Sequence, residues 1–527
     1  MVGGSRTSIT AFLILALLIS SSHAGKILVL HPMYAASHVL TLRALAKGMV
    51  ARGHEVTVLR WKDTHHYPDA NHPGIKEHVL AINNTDGTIP RLTVEERASF
   101  EMPQELMWRK GTSWTALPVD TFLTVSAFCR SLLEREQLRE ELRREQYDIA
   151  IVDILYNECS LALAHDLGLP SIGYWAFTFA GGEPQYTTAF SAPSSVPLIL
   201  SHCPEVMTFW ERLWNHFVAF CSHVVMQTQF AVTGHQIRKY LPSCPCPADL
   251  LSNLSGMLIN SHPAVDNPRL LPPSFINVGG MQIRPPQPLP QDLEDFISGS
   301  GEAGVILFTM GFIFNPKTVP FSVIQAFMGA FGRLKQRVLV KLEGTYEHTP
   351  PNVKVMDWLP QQDILAHKKT VLFFTHCGMH GVLEALHYGV PMVGMPVFAD
   401  QQDVLIRLQE RGVAKGVHKE ASEEEIFQAI NDVLQDSRYR QNALRLSRIL
   451  RDQLQSPQDH ALWLVEHVMN TKGADHLKTA ARHLNFVQFF GIDILAFIIL
   501  VNYIFWRYMT PLLKRMLHLF RKKVKSD

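Results

Sequence analysis

Short, continuous apolar runs alternate with helical stretches along most of the chain, the pattern of parallel strands covered on both faces rather than of half-exposed sheet. Residues 26–31, Lys-Ile-Leu-Val-Leu-His, are predicted as the first strand. Ser37 can cap the next helix, where Leu42, Leu45 and Met49 recur at helical spacing and Gly53 is placed to end it. Residues 54–59 form the next strand, and a charged helix over about 132–144 leads to a third at 148–152, finishing at Asp153. The second half repeats the style without repeating the sequence, with strands predicted at 305–308, 337–342, 353–356, 371–374 and 392–393. Between the halves, Gly279-Gly280 and the proline-dense run from Arg284 to Pro290 cannot join a helix or a central strand, so they read as an exposed, stiff linker. The predicted fold class is α/β: two doubly wound Rossmann-like domains, 25–280 and 293–470, joined by a linker at 281–292. Ligands are then expected in the facing cleft, at the carboxyl ends of the strands.

The two ends have a different pattern. In residues 1–24, Arg6 precedes an apolar run over 9–19 and a small-residue stretch ending Ser22-His23-Ala24, the order of a signal peptide. After a juxtamembrane stretch at 471–485, residues 486–506 are apolar apart from Gln488, Asp493 and Asn502, long enough for a transmembrane helix across a hydrocarbon core of about 30 Å. The following segment, 507–527, carries Arg507, Lys514, Arg515, Arg521, Lys522, Lys523 and Lys525, the cationic excess of a cytoplasmic tail. Residues 25–485 are therefore expected in the lumen or outside, where the sequons at Asn83 and Asn253 can accept glycans.

Composition narrows the function. A chain of 527 residues with 47% apolar and 18% charged residues can fill two cores, and 49 basic against 48 acidic residues give no overall attraction to nucleic acid. Seven scattered cysteines do not make a disulfide scaffold, and Cys244-Pro-Cys246 lacks metal-ligand spacing; no metal site is expected. The first strand is not followed by Gly-x-Gly-x-x-Gly, and no P-loop or His-Glu-x-x-His occurs, which argues against dehydrogenase, nucleotide-hydrolase and zinc-protease chemistry. Topology leaves an acid/base pair, His38 just beyond the first strand and Asp153 at the end of a later one. A neutral imidazole, with an unperturbed pKa of about 6.5, can take a proton from a hydroxyl while a carboxylate behind it orients the ring. Spacing alone also admits His38 as an ordinary helix-start residue.

Residues 358–403 are more specific. Trp358-Leu-Pro-Gln361 leads to Thr375-His376-Cys-Gly378-Met-His380-Gly381-Val-Leu-Glu384, then to Gly389-Val-Pro391 and Asp400-Gln401-Gln-Asp403. This segment closely resembles the signature of the family 1 UDP-glycosyltransferases, in the membrane-bound group that contains the UDP-glucuronosyltransferases. The resemblance extends over nearly the whole chain, including Ser37-His38, Asp153 and both ends. It implies the GT-B arrangement of two domains, acceptor binding in the N-terminal half and UDP-sugar binding in the C-terminal half, with His38 as the catalytic base facing the cleft. The residues agree with it chemically. Trp358 offers a face for uracil, Gln361 amide groups for the nucleotide, and Glu384 a carboxylate for ribose hydroxyls. His376, Gly378, His380, Gly381 and, after the first C-domain strand, Gly311 surround the expected diphosphate site, where a helix N-terminus attracts anions. Asp400 and Gln401 can bond donor-sugar hydroxyls.

Four positions depart from the family pattern: Cys377 for glycine, His380 for asparagine, Phe312 for serine and Val404 for asparagine. The expected function is inverting transfer of a glucuronosyl or glucosyl group to a hydroxyl of a small lipophilic acceptor, with no cofactor besides the co-substrate UDP-sugar. A catalytically silent, sugar-nucleotide-binding partner protein, or a receptor with a luminal ligand domain, are the other classes weighed, and homo- or hetero-oligomers are open. Lys523 and Lys525 look like the dilysine retrieval signal that holds members of this family in the endoplasmic reticulum. Phe209, Trp210, Leu213, Trp214, Phe217 and Phe220 form an apolar stripe at helical spacing, read first as core and otherwise as an acceptor wall or membrane contact.

Overall fold

The computed structural model describes residues 24–31, 36–61, 72–80, 108, 118–177, 192–311, 319–344, 346 and 349–523. The signal-peptide run before Ala24, Asn83, Phe312 and Lys525 lie outside the described residues. The chain divides into a body ending at Lys478 and a C-terminal unit from Thr479 to Asp527.

The body holds two sheets, every strand pair parallel. In the first, β1 (Lys26–His31), β2 (Glu55–Trp61), β3 (Ile75–Leu80), β4 (Ile149–Asp153), β5 (Ser171–Trp175), β6 (Gly256–Ile259) and β7 (Phe275–Asn277) lie in the order β3-β2-β1-β4-β5-β6-β7. In the second, β8 (Val305–Thr309), β9 (Arg337–Lys341), β10 (Val353–Met356), β11 (Thr370–Thr375), β12 (Met392–Gly394) and β13 (Ala414–Gly416) lie in the order β10-β9-β8-β11-β12-β13. The chain leaves β1 toward β2 and β3, then returns on the other side of β1 as β4; β8 and β11 repeat that reversal. Each sheet thus has a switch point beyond its strand ends, the place where this architecture opens a crevice. The central strands are sealed by helices: Ile27, Leu28, Val29, Leu30, Ile149, Ile151 and Val152 are all fully buried.

The helices that position the site are α1 (Ala36–Ala51), α2 (Phe209–Tyr240), α3 (Gln361–Ala366), α4 (Met379–His387), α5 (Gln401–Glu410) and α6 (Pro457–Asn470). Although α6 follows the second sheet in sequence, it packs on the first: Ala461, Leu462, Leu464, Val465 and Val468 share a core with Ile27, Val29, Leu42 and Ile149. Arg52 donates to Asp459 at 2.8 Å and to Glu466 at 2.9 Å, holding the same contact from its rim. The expected domain of 293–470 therefore gives its last helix to the other half. The apolar face of α6 predicts burial, and nothing local in it says against which sheet.

The stripe read as core is on the surface. Trp210 is 73% exposed, and Phe209, Leu213, Trp214, Phe217 and Phe220 are exposed with it, whereas the inward face of α2 carries Asn215, Val218, Met226, Gln229 and Phe230. Asn215 explains the orientation: it accepts from Leu198 N at 2.9 Å and donates to the carbonyls of Pro193 and Val196, which would otherwise be left unbonded. One disulfide, Cys129–Cys159, joins the helix Pro118–Leu133 to the helix Glu158–Asp166.

In the C-terminal unit, the short helix Phe486–Phe489 is separated by Gly491, at φ 63°, from α7 (Ile492–Lys523). Among the described residues, the stretch long and apolar enough to span a membrane is Ile492–Leu519. The helix starts at Ile492, after the separate short helix that begins at Phe486, and continues through Arg507, Lys514 and Arg515. Gly491 supplies the break, because glycine adopts positive φ without steric cost.

Candidate active site

At the switch point of the first sheet, His31 ends β1 and Asp153 ends β4, side by side because those strands pair in parallel register. His38, in the first turn of α1, reaches the same spot. Its Nδ1 lies 2.6 Å from Asp153 Oδ2, and His31 Nδ1 lies 3.0 Å from the same oxygen. Asp153 is 0% exposed. Burial alone would raise its carboxyl, but the two imidazoles outweigh it and hold the group well below the usual carboxylate range. Asn157 Nδ2 donates to the Asp153 carbonyl at 2.6 Å, which fixes the strand end itself.

The second switch point faces it. His376 follows β11 and fills a space cleared by two glycines: a Cβ on Gly311 would stand 2.7 Å from its Cε1, and one on Gly378 2.4 Å from its Nε2. Burial and the nearby Lys341 push His376 down to about 4, so the ring is neutral, and its Nδ1 has no hydrogen-bond partner. Lys341, at the end of β9, donates to the Gly311 carbonyl at 3.2 Å and places its ammonium 5.3 Å from the centre of the Trp358 ring; burial lowers it to about 8. Trp358 is 38% exposed and so retains surface for a stacking partner. His380, near the start of α4, crosses the cleft: its Nε2 is 3.3 Å from Tyr174 Oη and 3.3 Å from Asn260 Nδ2, both in the first half. Its ring stacks on that of His38 with centroids 6.2 Å apart. Burial and the other histidines push it down to about 3, so the ring is neutral in this fold.

The remaining predicted residues form two further groups. Glu384 accepts from Gln361 Nε2 at 2.6 Å, from Gln362 Nε2 at 3.1 Å and from Gln282 Nε2 at 3.4 Å. Burial raises its carboxyl against the pull of those amides. Gln361 and Glu384 are thus one unit, with the amide spent on the carboxylate. Asp400 stands at the N-cap position of α5 without a side-chain capping bond, and burial raises it to about 7, with Arg407 opposing and Asp403 adding to the rise; its Oδ2 has no hydrogen-bond partner among the described residues. Gln401 Oε1 accepts from Val397 N at 2.8 Å and Phe398 N at 2.9 Å, so its carbonyl end is spent on the loop before α5. Gly381 is buried within α4. Asn253 is exposed at the end of the helix Pro247–Ser252, and its Oδ1 accepts from Lys478 Nζ at 3.4 Å.

Sequence reasoning missed three contributors. His31 shares Asp153. Asp403 accepts from Leu200 N and His202 N at 2.8 Å each, anchoring α5 to the first half, and Arg407 adds a 2.8 Å bond to buried Asp266. The only local signal was His31 and Asp153 both closing apolar strands; the other two contacts join residues some 140 to 200 positions apart.

Two doubly wound domains whose switch points face each other across a histidine-lined cleft define a GT-B glycosyltransferase. The family model described as "UDP-glucoronosyl and UDP-glucosyl transferase" matches residues 25–527, and the chain belongs to that family. It is 32% identical to UDP-glucuronosyltransferase 2A3 of Cavia porcellus over 469 residues, covering 88% of each chain. It is 30% identical to UDP-glucuronosyltransferase 2B33 of Macaca mulatta over 516 residues, covering 94% of this chain and 93% of that one. Among solved structures, a UDP-glucosyltransferase from Polygonum tinctorium aligns with TM-score 0.56 at 16% identity, over 85% of this chain and 99% of that one, a likeness of fold. The protein is a UDP-sugar-dependent glycosyltransferase.

Proposed function

We propose that the chain transfers a glucuronosyl or glucosyl group from its UDP-sugar to a hydroxyl of a small lipophilic acceptor, with inversion at the anomeric carbon. The observation that carries this reading is the 2.6 Å contact between His38 and Asp153 at one switch point, with the nucleotide-side His380 stacked against the same imidazole. Asp153 accepts the Nδ1–H of His38, so the lone pair of Nε2 is free to take the acceptor's proton as its oxygen attacks the anomeric carbon and UDP leaves. Trp358 stacks on uracil, the Gln361–Glu384 pair receives the ribose, and Asp400 and Gln401 hold the donor sugar. The N-terminus of α4, with Gly378 and Gly381, and Lys341 meet the diphosphate charge, so no metal or cofactor enters the scheme. Both UDP-glucuronosyltransferase relatives support a glucuronosyl donor. In this reading the body is luminal, the Ile492–Leu519 helix is a single span, and Lys523 and Lys525 retain the protein in the endoplasmic reticulum.

Substituting His38→Ala should lower turnover about 10²- to 10⁴-fold, the usual contribution of a general base, while UDP affinity by calorimetry stays unchanged. Unchanged turnover refutes the assignment. The second reading, a silent UDP-sugar-binding protein, is favoured by one feature: His380 spends Nε2 on Tyr174 and Asn260, where the family's asparagine amide is absent. UDP binding without product from any radiolabelled UDP-sugar would support it.

A further inference from the structure

Asp153 is a carboxylate claimed twice. Both imidazoles bring Nδ1 to its Oδ2, His38 at 2.6 Å and His31 at 3.0 Å, while Oδ1 is 3.4 Å from Leu155 N. Because the shared oxygen is an acceptor, each ring must present Nδ1–H, which fixes both tautomers. For His38 that tautomer leaves the Nε2 lone pair for the acceptor's proton. For His31, which is 2% exposed, it leaves Nε2 buried without a hydrogen-bond partner among the described residues. A β1 end needing only packing would be served by an apolar side chain, as at Leu28 and Leu30; here a polar ring is held at the cost of an unbonded nitrogen.

We infer that His31 is a positioning residue that tunes the basicity of His38 by sharing the Asp153 carboxylate. The inference rests on His38 being the base. His31 neither gains nor loses a proton in the reaction; it donates one hydrogen bond throughout. That bond draws negative charge away from the Asp153–His38 contact, so the His38 imidazolium formed in the transfer is stabilised less, and the ring is neutral and competent at lower pH. Every ionisable group facing His38 among the described residues is in the same cluster: Asp153 from β4, His31 from β1, Tyr174 from β5 and His380 from α4, with His376 and Lys341 behind His380. Of these, His31 alone bonds the carboxylate that His38 uses.

The test is the pH profile of kcat/KM for the detergent-solubilised full chain, with UDP-glucuronic acid and UDP-glucose as donors and a phenolic acceptor. In His31→Leu the whole carboxylate charge falls to His38, and the acid limb should move up by about one pH unit, a tenfold change in the protonation equilibrium. His31→Asn, whose Nδ2 can donate from nearly the Nδ1 position, should restore the wild-type limb. A purely structural His31 predicts the opposite: Asp153 loosens, the limb moves down and plateau turnover falls. An unmoved or lowered limb in His31→Leu overturns the inference, and if that variant does not fold, a limb in His31→Asn shifted away from wild type does the same. His38→Ala separates the two proposals. If it abolishes turnover while the His31→Leu limb stays put, only the tuning role fails; if it leaves turnover intact, the base assignment fails as well.

Discussion

Asp400→Asn probes the donor-sugar site through stability as well as binding. In the unliganded fold the carboxyl is buried, one oxygen is unbonded, and its pKa rises from 3.8 to about 7. At about 1.4 kcal/mol per pH unit, that rise makes the ionised group about 4 kcal/mol costlier to fold than a neutral one. The sign follows from proton binding: between pH 3.8 and 7 the folded state holds a proton that the unfolded chain has released, so stability is lost as pH rises through that window. Asparagine has the shape of the neutral acid and no proton to lose. The variant and the parent should therefore have similar melting temperatures near pH 4, and the variant should melt several degrees higher by pH 8. The same substitution should weaken UDP-sugar binding at least tenfold while leaving UDP itself unaffected, because the proposed sugar contact uses the Asp400 oxygen that has no partner among the described residues. Thermal unfolding across pH 4–8 and calorimetry with both ligands check the two halves. A melting difference that is constant with pH refutes the electrostatic reasoning, and equal losses for UDP and UDP-sugar refute the placement of Asp400 at the sugar.

Gly378→Ala isolates a steric demand, since φ −66° and ψ 135° suit any residue but the new Cβ would stand 2.4 Å from His376 Nε2. Calorimetry should show UDP affinity reduced about tenfold or more, equivalent to about 1.4 kcal/mol, with the melting temperature little changed. Replacing Cys129 and Cys159 together by serine opens a link across 30 positions and should cost about 3–4 kcal/mol of stability, read as a lowered denaturant midpoint that reducing agent no longer shifts.

What the sequence conveyed well was whatever a short window contains. The strands over 26–31 and 149–153 are apolar from end to end because both faces are covered, and the residue ending each one stands at the site. The segment expected to receive the nucleotide was legible as a spaced motif, and His376, His380 and Glu384 lie on the single β11–α4 unit that makes it. The choices between distant partners were not legible. The apolar face of α6 fits either sheet; it joins the first because Leu462 and Val465 find Ile27 and Leu42 there. The aromatic stripe of α2 looked like core, yet Asn215 on the opposite face had three backbone groups to satisfy and turned the helix outward. His31 reads as the last residue of a strand until parallel pairing sets it beside Asp153.

The departures from the family pattern sort by where each side chain ends. Val404 is fully buried in the core that contains Met392, Leu405 and Leu408, so an apolar residue there packs and has no route to a ligand. Cys377 is also fully buried, at φ 66°, where a glycine would fit freely and another residue costs about 1–2 kcal/mol. Its sulfur occupies a space that Gly394 leaves open, since a Cβ there would lie 2.3 Å from Sγ. The Cys377 side chain is thus accommodated inside the core. His380 differs from both: its ring reaches the cleft, touches Tyr174 and Asn260 of the opposite half and stacks on His38. Of the three departures among the described residues, it alone can alter how a diphosphate is received. On the proposed placement of the donor at the α4 N-terminus, a UDP-sugar would draw a hydrogen bond from this imidazole or displace it from Tyr174 and Asn260, and either event would change the surroundings of His38.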